Sequence, residues 1–152
     1  MKTVRSSAIS HLISRKKNNQ NPSEAILKIY TQLNDLLKVY EPFLDVRVNT
    51  TTHYELWTKH TFRTTSFHPT SKKGLMFVGC AIFDHHISLY FYPFSYEKKL
   101  SEDLTHNLKT QLKFKTCFHF THLTTETIQD LKILLKAGWD FYESKNWVST
   151  NF

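Results

Sequence analysis

Apolar residues recur every three or four positions at Ile26, Tyr30, Leu33, Leu37 and Tyr40, one stripe along a helix of 3.6 residues per turn. Asn21-Pro22-Ser23-Glu24 reads as its start, with Asn as the cap, Pro at the first helical position and Glu at the third. Pro42 stops it. From Leu44 the period drops to two. Leu44, Val46 and Val48 alternate with Asp45, Arg47 and Asn49, and Tyr54, Leu56 and Thr58 oppose Glu55 and Trp57. A Thr-rich strand follows over Phe62 to Phe67, ending at His68-Pro69. These segments predict one core-packing helix leading into a sheet.

Two longer apolar runs come next, Leu75–Phe83 and Ile87–Phe94, joined by Asp84-His85-His86. So short a joint predicts an antiparallel hairpin. Both its faces are apolar: Leu75, Phe77 and Ala81 alternate with Met76, Val78 and Ile82, and Tyr90 and Tyr92 with Leu89 and Phe91. A strand apolar on both sides is either covered twice or lines a groove. Residues 95–112 read as a polar connection into a short helix carrying Leu100, Leu104, Leu108 and Leu112. Lys113–Phe120 then reads as one strand, with Phe114, Phe118 and Phe120 on its core face and Lys113, Lys115, Cys117 and His119 on the other. Thr124 caps a final helix bearing Ile128, Leu131, Leu135, Trp139 and Tyr142 on one side. Gly138 inside that helix costs about 1 kcal/mol relative to Ala, which predicts a close contact or a helix end there.

The pattern gives an α+β fold: a single domain, mainly an antiparallel β-sheet with N- and C-terminal amphipathic helices packed on it. At 152 residues the chain can bury roughly two-thirds of its unfolded surface, enough for a core without disulfides or a structural metal. No apolar run approaches the roughly 18 residues of a membrane span, so no membrane association is expected. Cys80 and Cys117 both fall in strand-like runs, and they read as buried free thiols of a cytoplasmic protein.

The net charge of +7 is unevenly placed. Lys2, Arg5, Arg15, Lys16 and Lys17 precede the first acid, Glu24, so the remainder carries 15 basic against 13 acidic residues. Residues 1–20 share the acid-poor, Ser-rich make-up of a transit peptide. The expected reading is a basic, mobile N-terminal arm, followed by one domain over residues 21–148.

Nine histidines raise the question of a metal. Cys117, His119 and His122 form the tightest cluster, but a zinc site draws four ligands from two local pairs. His85-His86 is the second pair on offer, and adjacent strand residues point to opposite faces. No metal or other cofactor is expected. Cys117 lacks the Cys/His/Asn signature of a nucleophile, and no phosphate loop, nucleophile elbow or HExxH is present. Catalytic residues are therefore not assigned.

What remains is a surface. Tyr90 and Tyr92 should stand on the same side of the sheet as Lys113, Lys115, Cys117 and His119, because Phe114, Phe118 and Phe120 go to the core with Leu89 and Phe91. These six residues are the ligand-binding candidates, suited to a planar or anionic small ligand. A Tyr-rich face also suits a protein partner, including a second copy of the chain as a homodimer. Single-stranded nucleic acid stacks on such aromatic-plus-cation surfaces too. With no recognised RNA-binding motif and the excess charge in the arm, nucleic acid is not the expected partner.

Several segments together resemble the YdhG-like family of small bacterial domains of unknown function. They are Gly74-Leu75-Met76-Phe77-Val78-Gly79, Ile87–Tyr92 with Pro93-Phe94, Lys115-Thr116-Cys117-Phe118-His119-Phe120, and Ala137-Gly138-Trp139 in the closing helix. The likeness spans residues 24–148. It implies an α+β domain with an antiparallel sheet, flanking helices and no established enzymatic activity. Some members of that family are described as frataxin-like intracellular iron chaperones, a role that takes clustered carboxylates. Here Asp35, Glu55, Asp84, Glu97, Glu102 and Asp103 are scattered and the net charge is positive, so no metal ligand is carried over.

Overall fold

The computed structural model describes residues 22–59 and 74–150. The N-terminal arm and the strand expected over residues 62–67 lie outside them. The described residues form a six-stranded antiparallel sheet and four α-helices, the α+β architecture that the alternation of periods implies. In chain order these are α1 (Glu24–Lys38), β1 (Asp45–Asn49), β2 (His53–Trp57), β3 (Met76–Ile82), β4 (Ile87–Phe91), α2 (Lys98–Glu102), α3 (His106–Gln111), β5 (Leu112–Phe114), β6 (Cys117–Phe120) and α4 (Thr125–Ser144). The strand order is β1-β2-β3-β4-β6-β5. Among the described residues no helix is long and apolar enough to cross a membrane.

Helix α1 starts two residues later than the Asn-Pro signal suggests. Ser23 is the cap, its hydroxyl accepting from the Ile26 amide at 3.2 Å, and Pro22 precedes it. The helix also ends before Pro42 acts, since Pro42 sits in a separate 3-10 turn, Glu41–Phe43. Ile26, Ile29, Tyr30, Leu33 and Leu37 are buried. Asn34 Oδ1 accepts a hydrogen bond from the Cys80 thiol at 2.9 Å and Tyr30 donates to the Thr50 carbonyl at 3.2 Å, tying α1 to β3 and to the β1–β2 turn.

Thr124 caps α4, as its position before the apolar stripe predicts. The helix does not end near Gly138 but runs on to Ser144. Gly138 is the close-contact case: a Cβ there would stand 2.9 Å from Cε1 of Phe91 and 3.0 Å from Cγ of Pro93. Farther along, the Tyr142 hydroxyl donates to the Met76 carbonyl at 2.6 Å in a buried setting. The connection read as one short helix is two, because Thr105 caps α3 separately, its hydroxyl accepting from the Leu108 amide at 3.4 Å.

The core lies between the helices and one face of the sheet. Phe77 is central to it, with ring centroids 5.3 Å from Tyr40, 5.6 Å from Trp139 and 5.3 Å from Tyr142. The expected alternation in β3 fails at one point. A register shift opposite Leu56 and Trp57 puts both Phe77 and Val78 into the helix-side core, so Ala81 joins Met76 on the far face instead of Phe77. That far face has its own cluster, Trp57, Met76, Ala81 and Tyr92 with Phe83 and Tyr90 against it, and none of its members comes from an α-helix.

Candidate functional site

Residues directly opposite in an antiparallel pair share a sheet face. On the far face the registers of β2, β3, β4 and β6 therefore form two rows. One runs His53, Ala81, Ser88 and His119; the next runs Glu55, Gly79, Tyr90 and Cys117. Tyr90, Cys117 and His119 thus stand together as expected, and Leu89, Phe118 and Phe120 face the helices.

The middle of this face is polar but buried. Glu55 is 1% exposed, and its Oε1 accepts from the Trp57 indole N–H at 2.9 Å. Its Oε2 lies 2.6 Å from Nε2 of His53, within ion-pairing distance though out of line for a directed hydrogen bond. The Arg47 guanidinium caps the Trp57 ring at 4.6 Å from its centroid. Across Gly79, Ser88 hydrogen-bonds the side chains of Tyr90 and Cys117. Burial outweighs that contact, raising the Tyr90 phenol and pushing the Cys117 thiol up to about 11. A thiol so raised is protonated at neutral pH and is a poor nucleophile. Tyr92 leaves the strand, entering a 3-10 turn over Tyr92–Ser95, and is buried in the far-face cluster.

The segment Lys113–Phe120 is not one strand. It folds as a hairpin, β5 and β6, joined by a turn at Lys115-Thr116. Phe114 pairs with Cys117, so it belongs to the far face and not to the core, and it is 66% exposed. Lys115 lies in the turn rather than on a sheet face, and Lys113 falls at a register irregularity between Leu112 and Phe114. Both lysines are exposed. They flank Phe114 in sequence, away from Tyr90 and Tyr92 as a set.

At this outer end the rings of four residues stand in a column. Phe83 and His86 stack with centroids 5.2 Å apart, His86 and His119 stack at 4.0 Å, and Phe114 meets His119 edge-on at 5.8 Å. Two parallel imidazoles direct their nitrogen lone pairs parallel to each other, which does not converge them on one cation. Among the described residues no group of three or more His, Cys, Asp or Glu could hold a metal ion. His122 lies beyond β6, exposed, with Nδ1 3.2 Å from the Thr121 hydroxyl. A depression of about 290 Å³ lies beside α1, lined by Leu27, Tyr30, Asn34 and Lys38 among others, and shares no residue with the far face.

Phe83, His86 and Phe114 are the members of the outer site that sequence reasoning missed; His53 and Glu55 are the buried pair it missed. His53, Glu55 and Trp57 alternate along β2, which was the available signal for a shared face. No protein-family model, curated protein or solved structure matches this chain.

Proposed function

We propose that this chain is a non-enzymatic, cytoplasmic binding domain whose site is the outer end of the far sheet face, where it takes a planar, anionic small molecule. The observation that carries this reading is Phe114, an aromatic ring 66% exposed on the face of His119 and flanked by the exposed Lys113 and Lys115. Such a ring offers stacking area, and two ammonium groups beside it favour negative charge. The half-buried Tyr90 and the buried Cys117 form the wall behind it and Tyr92 supports that wall from the cluster beneath. The protonated Cys117 thiol favours binding over covalent catalysis. An iron-chaperone role would need clustered carboxylates, whereas Glu55 on this face is engaged with Trp57 and His53.

A ligand-observed NMR screen of planar carboxylates and phosphates, run on wild type and a Phe114→Ala, Lys115→Ala variant, tests this. Hits that bind wild type and lose binding in the variant are expected. Hits unaffected by the variant place the site elsewhere. A variant that loses dimerisation while no compound ever binds makes this end of the sheet a subunit interface instead.

A further inference from the structure

The corner around Phe114 has a local charge that the whole-chain balance hides. No acid occurs between Asp103 and Glu126, while Lys109, Lys113 and Lys115 do. Lys113 and Lys115 sit on β5, the edge strand of the sheet, and in the β5–β6 turn, whereas Lys109 sits on α3, whose Thr105 and Asn107 hydrogen-bond Asp130 of α4. All three lysines are exposed.

Phe114 also lies in the open. Stacking one planar group on an exposed ring contributes roughly 1–3 kcal/mol, which by itself leaves a dissociation constant above about 1 mM. A ligand held tightly here must repeat its contacts along the edge. A polymer with a planar group and a negative charge in every unit does so.

Resting on the reading above and extending it from one planar anion to a polymer of them, we infer that the edge also takes single-stranded nucleic acid, the partner that motif and whole-chain charge did not favour. A base stacks on Phe114 and its phosphates lie on Lys113 and Lys115. A duplex keeps its bases stacked inside and offers no face to Phe114. The strand lies along the β5 edge. The arm carries five further cations, which the Phe114→Ala comparison leaves unchanged.

Fluorescence anisotropy with labelled oligothymidylate and oligouridylate, each twelve nucleotides long, tests the inference on the full chain, alongside thymidine monophosphate as the single-unit control. Phe114→Ala should weaken oligomer binding by about 5- to 150-fold. Two phosphate contacts predict about a 7-fold loss of affinity between 50 and 200 mM salt, and Lys113→Ala/Lys115→Ala should remove that component. All three positions are exposed, and circular dichroism checks that the variants fold. Oligomer binding that neither variant changes overturns the inference, because the arm or another surface then carries it. The monophosphate binding as tightly as the oligomers overturns the strand while leaving the planar-anion reading intact. No binding of any of these, with planar hits from the screen retained, likewise overturns the strand alone. Loss of both sets removes both.

Discussion

The ring of Phe91 fills the space that a side chain at Gly138 would need. A Cβ at Gly138 would lie 2.9 Å from Cε1 of Phe91 and closer still to Cζ, and neither partner has room to retreat. Phe91 is fully buried and meets Phe77 and Phe94 ring to ring. Here helix propensity and packing pull in opposite directions, and packing wins. Gly138→Ala gains about 1 kcal/mol of intrinsic helix preference, yet overpacking a tight core typically costs about 1–3 kcal/mol. The variant should unfold at lower urea than wild type. A higher midpoint would mean that α4 can move away from β4 freely.

Leu33 on α1 and Leu131 on α4 are both buried in the helix-side core. Truncating either to Ala should cost about 2–5 kcal/mol, the usual sum of lost transfer energy and cavity. Equilibrium unfolding of the two single variants measures it. Losses below about 0.5 kcal/mol at both sites would place these helices on the surface.

Glu55 supplies an acceptor to Trp57 and sets its other carboxyl oxygen 2.6 Å from Nε2 of His53 inside the far-face cluster. Removing it with Glu55→Ala leaves an indole N–H and an imidazole without that partner. Leaving a buried donor unsatisfied in this way costs about 1–3 kcal/mol. Glu55→Gln, which keeps an acceptor for Trp57, should cost less. Equal losses in the two variants, by urea denaturation at pH 7, would show that the hydrogen bond to Trp57 contributes little.

Burial raises the Cys117 thiol from 9.0 to about 11 and raises Cys80 and the phenols of Tyr30, Tyr54, Tyr90 and Tyr142 as well. Each such group stays protonated in the folded chain at a pH where the unfolded chain has released its proton. The unfolded state then binds fewer protons, so stability must fall as pH rises. The contribution is whole below pH 9 and is lost progressively above it, the thiols first and the phenols from about their ordinary 10.0. Urea midpoints at pH 7, 9 and 10.5 should decline in that order. A flat series would mean these groups are solvated.

The helices and most strands were legible because burial selects a period. The α1 stripe, the Thr124 cap and the two-residue alternation of β2 all follow from which positions must face the core. Phe114 was misplaced for a different reason. Lys113 through Phe120 alternates as if it were one strand, and the Lys115-Thr116 turn has neither Gly, Pro, Asn nor Asp to announce it. Neither turn residue takes a positive φ, so the backbone needed no special residue there. The turn reverses the chain and sends Phe114 to the face of Cys117. The candidate site was correspondingly half legible: Tyr90, Cys117 and His119 fall on one face by alternation, whereas Lys115 in the turn does not. His53 and Glu55 were not legible because an acid and an imidazole on a strand read as solvated, and only three-dimensional burial shows otherwise.

The hydrogen bond from Tyr142 to the Met76 carbonyl joins residues 66 positions apart, near the end of α4 and at the start of β3. On a ribosome, β3 and β4 are made long before their cover. Until α4 clears the exit tunnel, Phe77 has Tyr40 to pack on but neither Trp139 nor Tyr142. Vectorial synthesis therefore leaves an apolar sheet surface waiting through some fifty further residues of elongation, at roughly 5–20 residues per second. The architecture makes full burial of that surface depend on α4, the last of the described helices to be made.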